Sequence, residues 1–223
     1  MKAAQTDVIE RTTQLLAGFN LSTAAPELGL RLENAGHRDA LLLVLEVLEM
    51  EAEAREQRKI TRLRRAAQIP PGKTFETLDA STLPAPLTRK LRELARGEFL
   101  ERAENALAFG LPGVGKSHAG YAIGNALIEL GHSVLFRPAY PLVEELLAAK
   151  RDLMLPQKLR RLDSFELLIL DDIGYVKQSP EEAEVLFTLI AERYERRSCT
   201  ASTIPAGALT HAFCYRRDAG CLT

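Results

Sequence analysis

An α/β fold is predicted for this chain: a parallel sheet covered by helices on both faces, preceded by a small all-helical module. Three observations point there. Between residues 104 and 198 short apolar runs alternate with helix-period segments, as when parallel strands are joined by helical crossovers. Residues 1–68 carry helical periodicity alone. A glycine-rich turn joins the first apolar run directly to the helix-period segment after it.

In the first segment, Val8, Thr12, Leu15, Leu16 and Phe19 recur at helical spacing. Residues 40–54 are leucine-rich, and Glu46, Glu49, Glu51 and Glu53 lead into a basic run. That run holds Arg55, Arg58, Lys59, Arg62, Arg64, Arg65 and Lys73, opposed between 55 and 73 by Glu56 alone. A solvated helix face is one explanation; sequence-independent contact with DNA phosphates is the other, and the localised, one-signed charge favours it. The following stretch, residues 69–103, opens with Pro70, Pro71 and Gly72 and continues to Pro84 and Pro86. No regular helix accommodates that spacing, so a linker or extended strap is predicted, with helix resuming at 89–102.

Strands are predicted at Asn105–Phe109, Ser133–Phe136 and Phe165–Leu170, with helices at 116–130 and 141–162 between them. A further helix starts at Ser179-Pro180-Glu181-Glu182, which supplies an N-cap serine, a first-turn proline and a glutamate three residues after the cap. Its expected apolar stripe is Ala183, Leu186, Phe187, Ile190 and Tyr194.

The 223 residues are 46% hydrophobic and 26% charged, with a net charge of −1, a globular composition. The longest apolar run, Ala40–Leu45, is six residues, against the roughly 20 a membrane span needs. Asp7, Glu10 and Arg11 interrupt the segment where a secretory signal would be apolar. A cytoplasmic protein without membrane association is therefore expected. All three cysteines, Cys199, Cys214 and Cys221, fall in residues 199–223. With His211 they form C-x11-H-x2-C-x6-C, which is not a zinc pattern.

Residues Gly110-Leu111-Pro112-Gly113-Val114-Gly115-Lys116-Ser117 match G-x-x-x-x-G-K-[ST] between a predicted strand and a predicted helix, the context a P-loop requires. Its glycines let successive backbone N–H groups face phosphate oxygens, and the helix adds its positive end. Lys116 is placed for the β- and γ-phosphates and Ser117 for Mg²⁺; His118, next on the helix, is grouped with this segment without a chemical role. The second half of such a site is an acidic strand end, supplied by Asp171-Asp172, with Asp171 lying 55 residues after Lys116. Asp171 is expected to hold Mg²⁺ through water, and Asp172 to orient or deprotonate the attacking water. Asp171-Asp172-Ile173-Gly174 also fits the D-x-x-G of GTPases, but the guanine-reading [NT]-K-x-D is absent from the sequence. ATP with Mg²⁺ is the expected ligand.

The segments GLPGVGKSHAGYAIGNALIELGHSVLF and LLILDDIGYVKQSPEEAEVLFTLIAERYERRS resemble the IstB-like ATP-binding proteins, helpers of insertion-sequence transposition related to helicase loaders of the AAA+ class. Ser117-His118 and IGYVKQSPEEAEVLF discriminate more than either nucleotide motif. The resemblance runs from about residue 10 to Ser198 and implies an AAA+-like P-loop NTPase that assembles on DNA as a homo-oligomer and directs a transposase. The implied division is a helical module at 1–68, a linker and lead-in helix at 69–103, an incomplete ATP-binding domain at 104–198 and an atypical tail at 199–223. Family members continue after Ser198 with a hydrophobic strand ending in a polar, γ-phosphate-sensing residue, usually Asn, followed by helices and a trans-acting arginine. In CTASTIPAGALTHAFCYRRDAGCLT neither a buried strand nor an amphipathic helix is legible, and a disrupted reading frame is the expectation. Three functions stay open: a transposition ATPase, a hydrolysis-deficient ATP-binding remnant, and a helicase-loader-type adaptor.

Overall fold

The computed structural model describes residues 2–79, 83–173, 179–194, 196–203, 211–216 and 220–222. They divide into two compact units, Met1–Lys59 and Ile60–Thr223. Gly174 of the D-x-x-G string and the side chains of His211, Cys214 and Cys221 lie outside what is described.

The first unit is helical, as predicted. It contains α1 (Lys2–Gly18), α2 (Leu28–Asn34) and most of α3 (Arg38–Ala67). Thr12, Leu15 and Leu16 of α1 are buried with Ala25 and Leu41. The α1–α2 crossing is close at Gly29, where an added Cβ would stand 3.1 Å from Ile9 Cγ2. Arg55 stacks over the Phe19 ring, 4.1 Å from its centroid, a cation–π contact. The boundary between these two compact units falls inside α3. The reason is packing: Ile60, Leu63 and Ala67, on the last turns of α3, join the core of the second unit.

That core is built on a six-stranded sheet of order β2-β3-β4-β1-β5-β6. The strands are β1 (Asn105–Gly110), β2 (Val134–Pro138), β3 (Leu167–Asp171), β4 (Ser198–Thr203), β5 (His211–Arg216) and β6 (Gly220–Leu222). The pairs β1–β4, β4–β3 and β3–β2 are parallel, whereas β5 and β6 add to the free edge of β1 antiparallel. Successive side chains of a strand point to opposite faces. Ala106, Ala108, Val134, Phe136, Leu167 and Ile169 therefore pack with α6 (Lys116–Glu129), α4 (Ala85–Leu94) and α5 (Glu98–Glu101). Leu135, Leu168, Leu170 and Ala201 face α7 (Ala139–Arg151), α8 (Leu155–Asp163) and α9 (Pro180–Arg193).

Four expectations are corrected. Ser198–Thr203 is a buried strand, although the sequence after Ser198 shows no aliphatic run; Ser198, Thr200, Ala201 and Ser202 are all at most 6% exposed. It qualifies because it lies between β1 and β3, which pair its backbone on both sides, and because its hydroxyls find partners: Ser198 Oγ donates to Phe99 O at 3.3 Å. The predicted helix 141–162 is two helices, broken where Leu153 takes φ +60°. Helix 89–102 likewise splits at Gly97, φ +84°, and starts earlier, with Pro86 tolerated in its first turn. On α9 the Ser179 capping box forms as expected, yet Phe187, Ile190 and Tyr194 are 72%, 40% and 62% exposed. The core takes Val185 and Leu189 in their place.

Arg193, 2% exposed, ties three elements together. Its guanidinium donates to Leu162 O (2.8 Å), Phe165 O (3.0 Å) and Ser198 O (2.9 Å). Glu166 joins the starts of β2 and β3: its carboxylate accepts from Ser133 N (2.7 Å) and Ser133 Oγ (3.0 Å) and lies 3.1 Å from His132 Nδ1. Burial pushes the Glu166 carboxyl up, but the Ser133 N–H, His132 and the Ser133 hydroxyl together hold it below its ordinary value. A carboxyl depressed on folding stabilises above its unfolded pKa, and that stability is lost as pH falls through the folded value. Glu166→Gln is thus expected to lower the unfolding free energy measured by urea titration at pH 7, by at most about 1 kcal/mol given the partial exposure. At pH 3 wild type and variant should converge, and a difference that persists there would exclude the carboxylate as its source.

Candidate nucleotide-binding site

The predicted phosphate loop connects β1 to α6. Gly113 and Gly115 take φ +82° and +91°, the left-handed region that side chains disfavour. These two positions let the chain turn sharply into α6, whose first-turn N–H groups have no acceptor within the helix. Lys116 Nζ bends back over the loop and donates to Gly110 O (2.9 Å) and Leu111 O (3.0 Å). Leu111 is itself exposed.

Asp171 ends β3 and Asp172 follows it, at the same edge of the sheet as Gly110, because β1, β4 and β3 run parallel. The carboxyl ends of parallel strands are where ligands bind in open α/β sheets. Ser202, near the end of β4, joins the Asp171 carboxylate to the Asp172 backbone: its Oγ donates to Asp171 Oδ1 at 2.5 Å and accepts from Asp172 N at 2.9 Å. The latter bond accompanies a φ of +58° at Asp172, a left-handed conformation that aspartate tolerates better than most residues. Burial raises the Asp172 carboxyl above its ordinary value, Asp171 raises it further, and Lys116 opposes both. A carboxylate so raised is a better proton acceptor for water.

Mg²⁺ fits this arrangement. The Ser117 hydroxyl is a hard oxygen donor, and the Asp171 carboxylate would hold the ion through a bound water, which leaves the other octahedral positions for phosphate and water. Of the predicted residues, Gly110 to Ser117 form the loop and helix start, while Asp171 and Asp172 stand at the strand end. His118 points elsewhere, its Nε2 lying 3.1 Å from Thr77 Oγ1 and 3.3 Å from Thr74 O.

Two neighbours were not legible beforehand. Ser202 was hidden because its strand was; a period-two alternation of very small residues, with Cys199 and Ala201 on one face, was the available signal. Tyr121, one turn after Ser117, packs its ring on Phe136 with centroids 4.4 Å apart. Burial raises its phenol, and Asp171 and Asp172 add to the shift.

The basic run is less free than its charge suggested. Glu51 pairs with Arg55 (2.7 Å) and Arg58 (3.0 Å), Glu56 with Lys59 (3.8 Å), and Glu129 with Arg64. Among the described residues Arg62 and Arg65 are exposed and make no ion pair.

The family model for IstB-like ATP-binding proteins matches residues 15–213, well past Ser198. The chain belongs to the IstB-like ATP-binding protein family. This IstB-like protein is 44% identical over 153 residues to a Sinorhizobium fredii protein named as an insertion-sequence ATP-binding protein, covering 68% of this chain and 51% of that one. It is 39% identical over 151 residues to the corresponding IS21 protein of Pseudomonas aeruginosa, covering 68% and 57%. It therefore spans just over half the length of these relatives. Among solved structures the DnaC helicase loader superposes with a TM-score of 0.52 at 22% identity, over 56% of this chain and 72% of that one. DnaA of Aquifex aeolicus bound to AMPPCP gives 0.52 at 18%, over 60% and 43%. Both likenesses are of fold alone, and they agree with the AAA+-like P-loop fold that the resemblance implies. Among the described residues no helix of this IstB-like protein is long and apolar enough to cross a membrane.

Proposed function

We propose that this IstB-like protein is an ATP-binding helper of DNA transposition: it binds ATP with Mg²⁺, contacts DNA without sequence preference, and acts as a homo-oligomer with the transposase of its element. The observation that carries the proposal is that Lys116 of the loop lies close enough to Asp172 to oppose the rise of its carboxyl, beside the bonded Asp171–Ser202–Asp172 group, in a chain whose relatives are named for ATP binding in insertion sequences. Lys116 neutralises the β- and γ-phosphates, Ser117 and Asp171 hold Mg²⁺, and Asp172 activates water. We assign Ser202, one residue before the end of β4, to the polar position at which the family usually carries Asn. Its hydroxyl fixes the Asp171 carboxylate and the Asp172 backbone, and this ordering of the acidic pair supports the reading with turnover over the hydrolysis-deficient one. The helicase-loader alternative rests on fold likeness alone.

DNA contact is assigned to the basic part of α3, with Arg62 and Arg65 as its unpaired arginines, and Arg55, Arg58, Lys59 and Arg64 reaching phosphates only by leaving their carboxylates. Each phosphate contact adds about 0.9 to the slope of log K against log salt on duplex DNA. Replacing Arg62 and Arg65 together by alanine is expected to flatten that slope by about 1.8 while leaving ATP affinity intact. An unchanged slope would remove α3 from the DNA interface; absence of ATP binding by the wild type would overturn the proposal as a whole.

A further inference from the structure

Residues 69–78, anticipated only as a linker, are seated along the P-loop helix at several points. At one end, Gly124 of α6 makes room for Ile69: a Cβ added there would stand 2.6 Å from Ile69 Cδ1. Glycine inside a helix costs about 0.5–1 kcal/mol relative to alanine, so this close approach is maintained against a helix-propensity cost. One residue on, Asn125 Nδ2 donates to Lys73 O at 2.7 Å. At the other end, Leu78 is buried in the core and its Cδ1 lies 4.0 Å from where a Cβ on Gly115 would be. The segment thus reaches the phosphate loop itself.

Between these points the bonds close on His118. Thr77 Oγ1 donates to Gly72 O (2.8 Å) and accepts from Thr74 N (3.0 Å). His118 Nε2 faces both that hydroxyl and Thr74 O. A carbonyl oxygen accepts only, so Nε2 carries the proton and donates to both. The imidazole is consequently the donor that joins the turn 74–78 to α6, and it follows in sequence the residue placed for Mg²⁺.

We infer that residues 69–78 are a strap latched to the P-loop helix, and that His118 is the positioning residue of the latch, coupling phosphate binding in the loop to order in the strap. The coupling rests on the ATP-binding proposal above; the latch does not. Phosphate held by the first turn of α6 stiffens that turn, and His118 transmits the stiffening to Thr77 and Thr74. Without the imidazole the strap keeps Asn125 and Leu78 but loses its bond nearest the phosphates.

Hydrogen exchange on the full chain, with and without ATP-Mg²⁺, tests this using His118→Ala and His118→Gln. In His118→Ala the amides of 72–78 should exchange about tenfold faster without nucleotide, ATP should still bind through the intact loop, and ATP should no longer slow exchange in the strap. His118→Gln, whose Nε2 also donates, should restore both behaviours. Strap exchange equal to wild type in His118→Ala would overturn the latch. Loss of ATP binding with an undisturbed strap would also overturn it, placing His118 in the phosphate cradle. If wild-type protein fails to bind ATP, the coupling falls with the nucleotide proposal, while nucleotide-free exchange still decides the latch.

Discussion

Lys116→Ala is expected to weaken ATP binding about 100-fold while leaving the fold intact. Among the described residues its ammonium is bonded to the carbonyls of Gly110 and Leu111, neutral groups, so removing it breaks no ion pair there. Toward a triphosphate it would supply two charge-assisted hydrogen bonds, each worth about 1.5–3 kcal/mol, and the lower end of that sum corresponds to the 100-fold loss. Titration calorimetry with ATP-Mg²⁺ measures it directly. An affinity within threefold of wild type would show that phosphate is held by the loop amides alone. The same change removes the positive charge that opposes burial and Asp171 at Asp172. The Asp172 carboxyl should therefore rise further, and the acid limb of any pH–rate profile should move to higher pH.

Arg193→Met is expected to be the most destabilising single substitution, by about 3–5 kcal/mol. A buried guanidinium can be matched in volume by methionine, but methionine donates nothing. Leu162 O, Phe165 O and Ser198 O would each lose a donor at 2.8–3.0 Å. These carbonyls sit at the end of α8, just before β3 and at the start of β4, so three elements lose a common anchor. A drop in thermal midpoint of roughly 10 °C should follow for a chain of this size, and a shift under 2 °C would contradict that role. Because β4 carries Ser202, ATP affinity should also fall at temperatures where the variant is still folded. The exposed stripe of α9 provides the contrast: Phe187→Ser, at 72% exposure, removes no core contact.

Features written in contiguous residues were legible in advance. The P-loop, the aspartate pair ending an apolar strand and the Ser179–Glu182 cap depend on spacings of a few residues. Their chemistry is set by backbone geometry that those residues impose themselves. The helical first unit and the three aliphatic strands were legible for the same reason, since periodicity is local.

Long-range placement decided the rest. SCTAST carries too little apolar surface to announce a strand; it became the central β4 because β1 and β3 pair with it from both sides. Val185 and Leu189 compete with Phe187 and Ile190 for the core side of α9, and the shape of the cluster beneath selects the first pair. The cations of α3 read as one patch until Glu51 and Glu129 are brought beside them.

From its sequence alone, then, the P-loop motif and the IstB-like family of this protein were legible, because a phosphate-loop pattern is written in consecutive residues. Only the tertiary structure decided that Ser202 bridges the two aspartates and that His118 holds a strap, because each joins residues at least 30 positions apart. Contacts at that separation exist only once the sheet and its covering helices have formed.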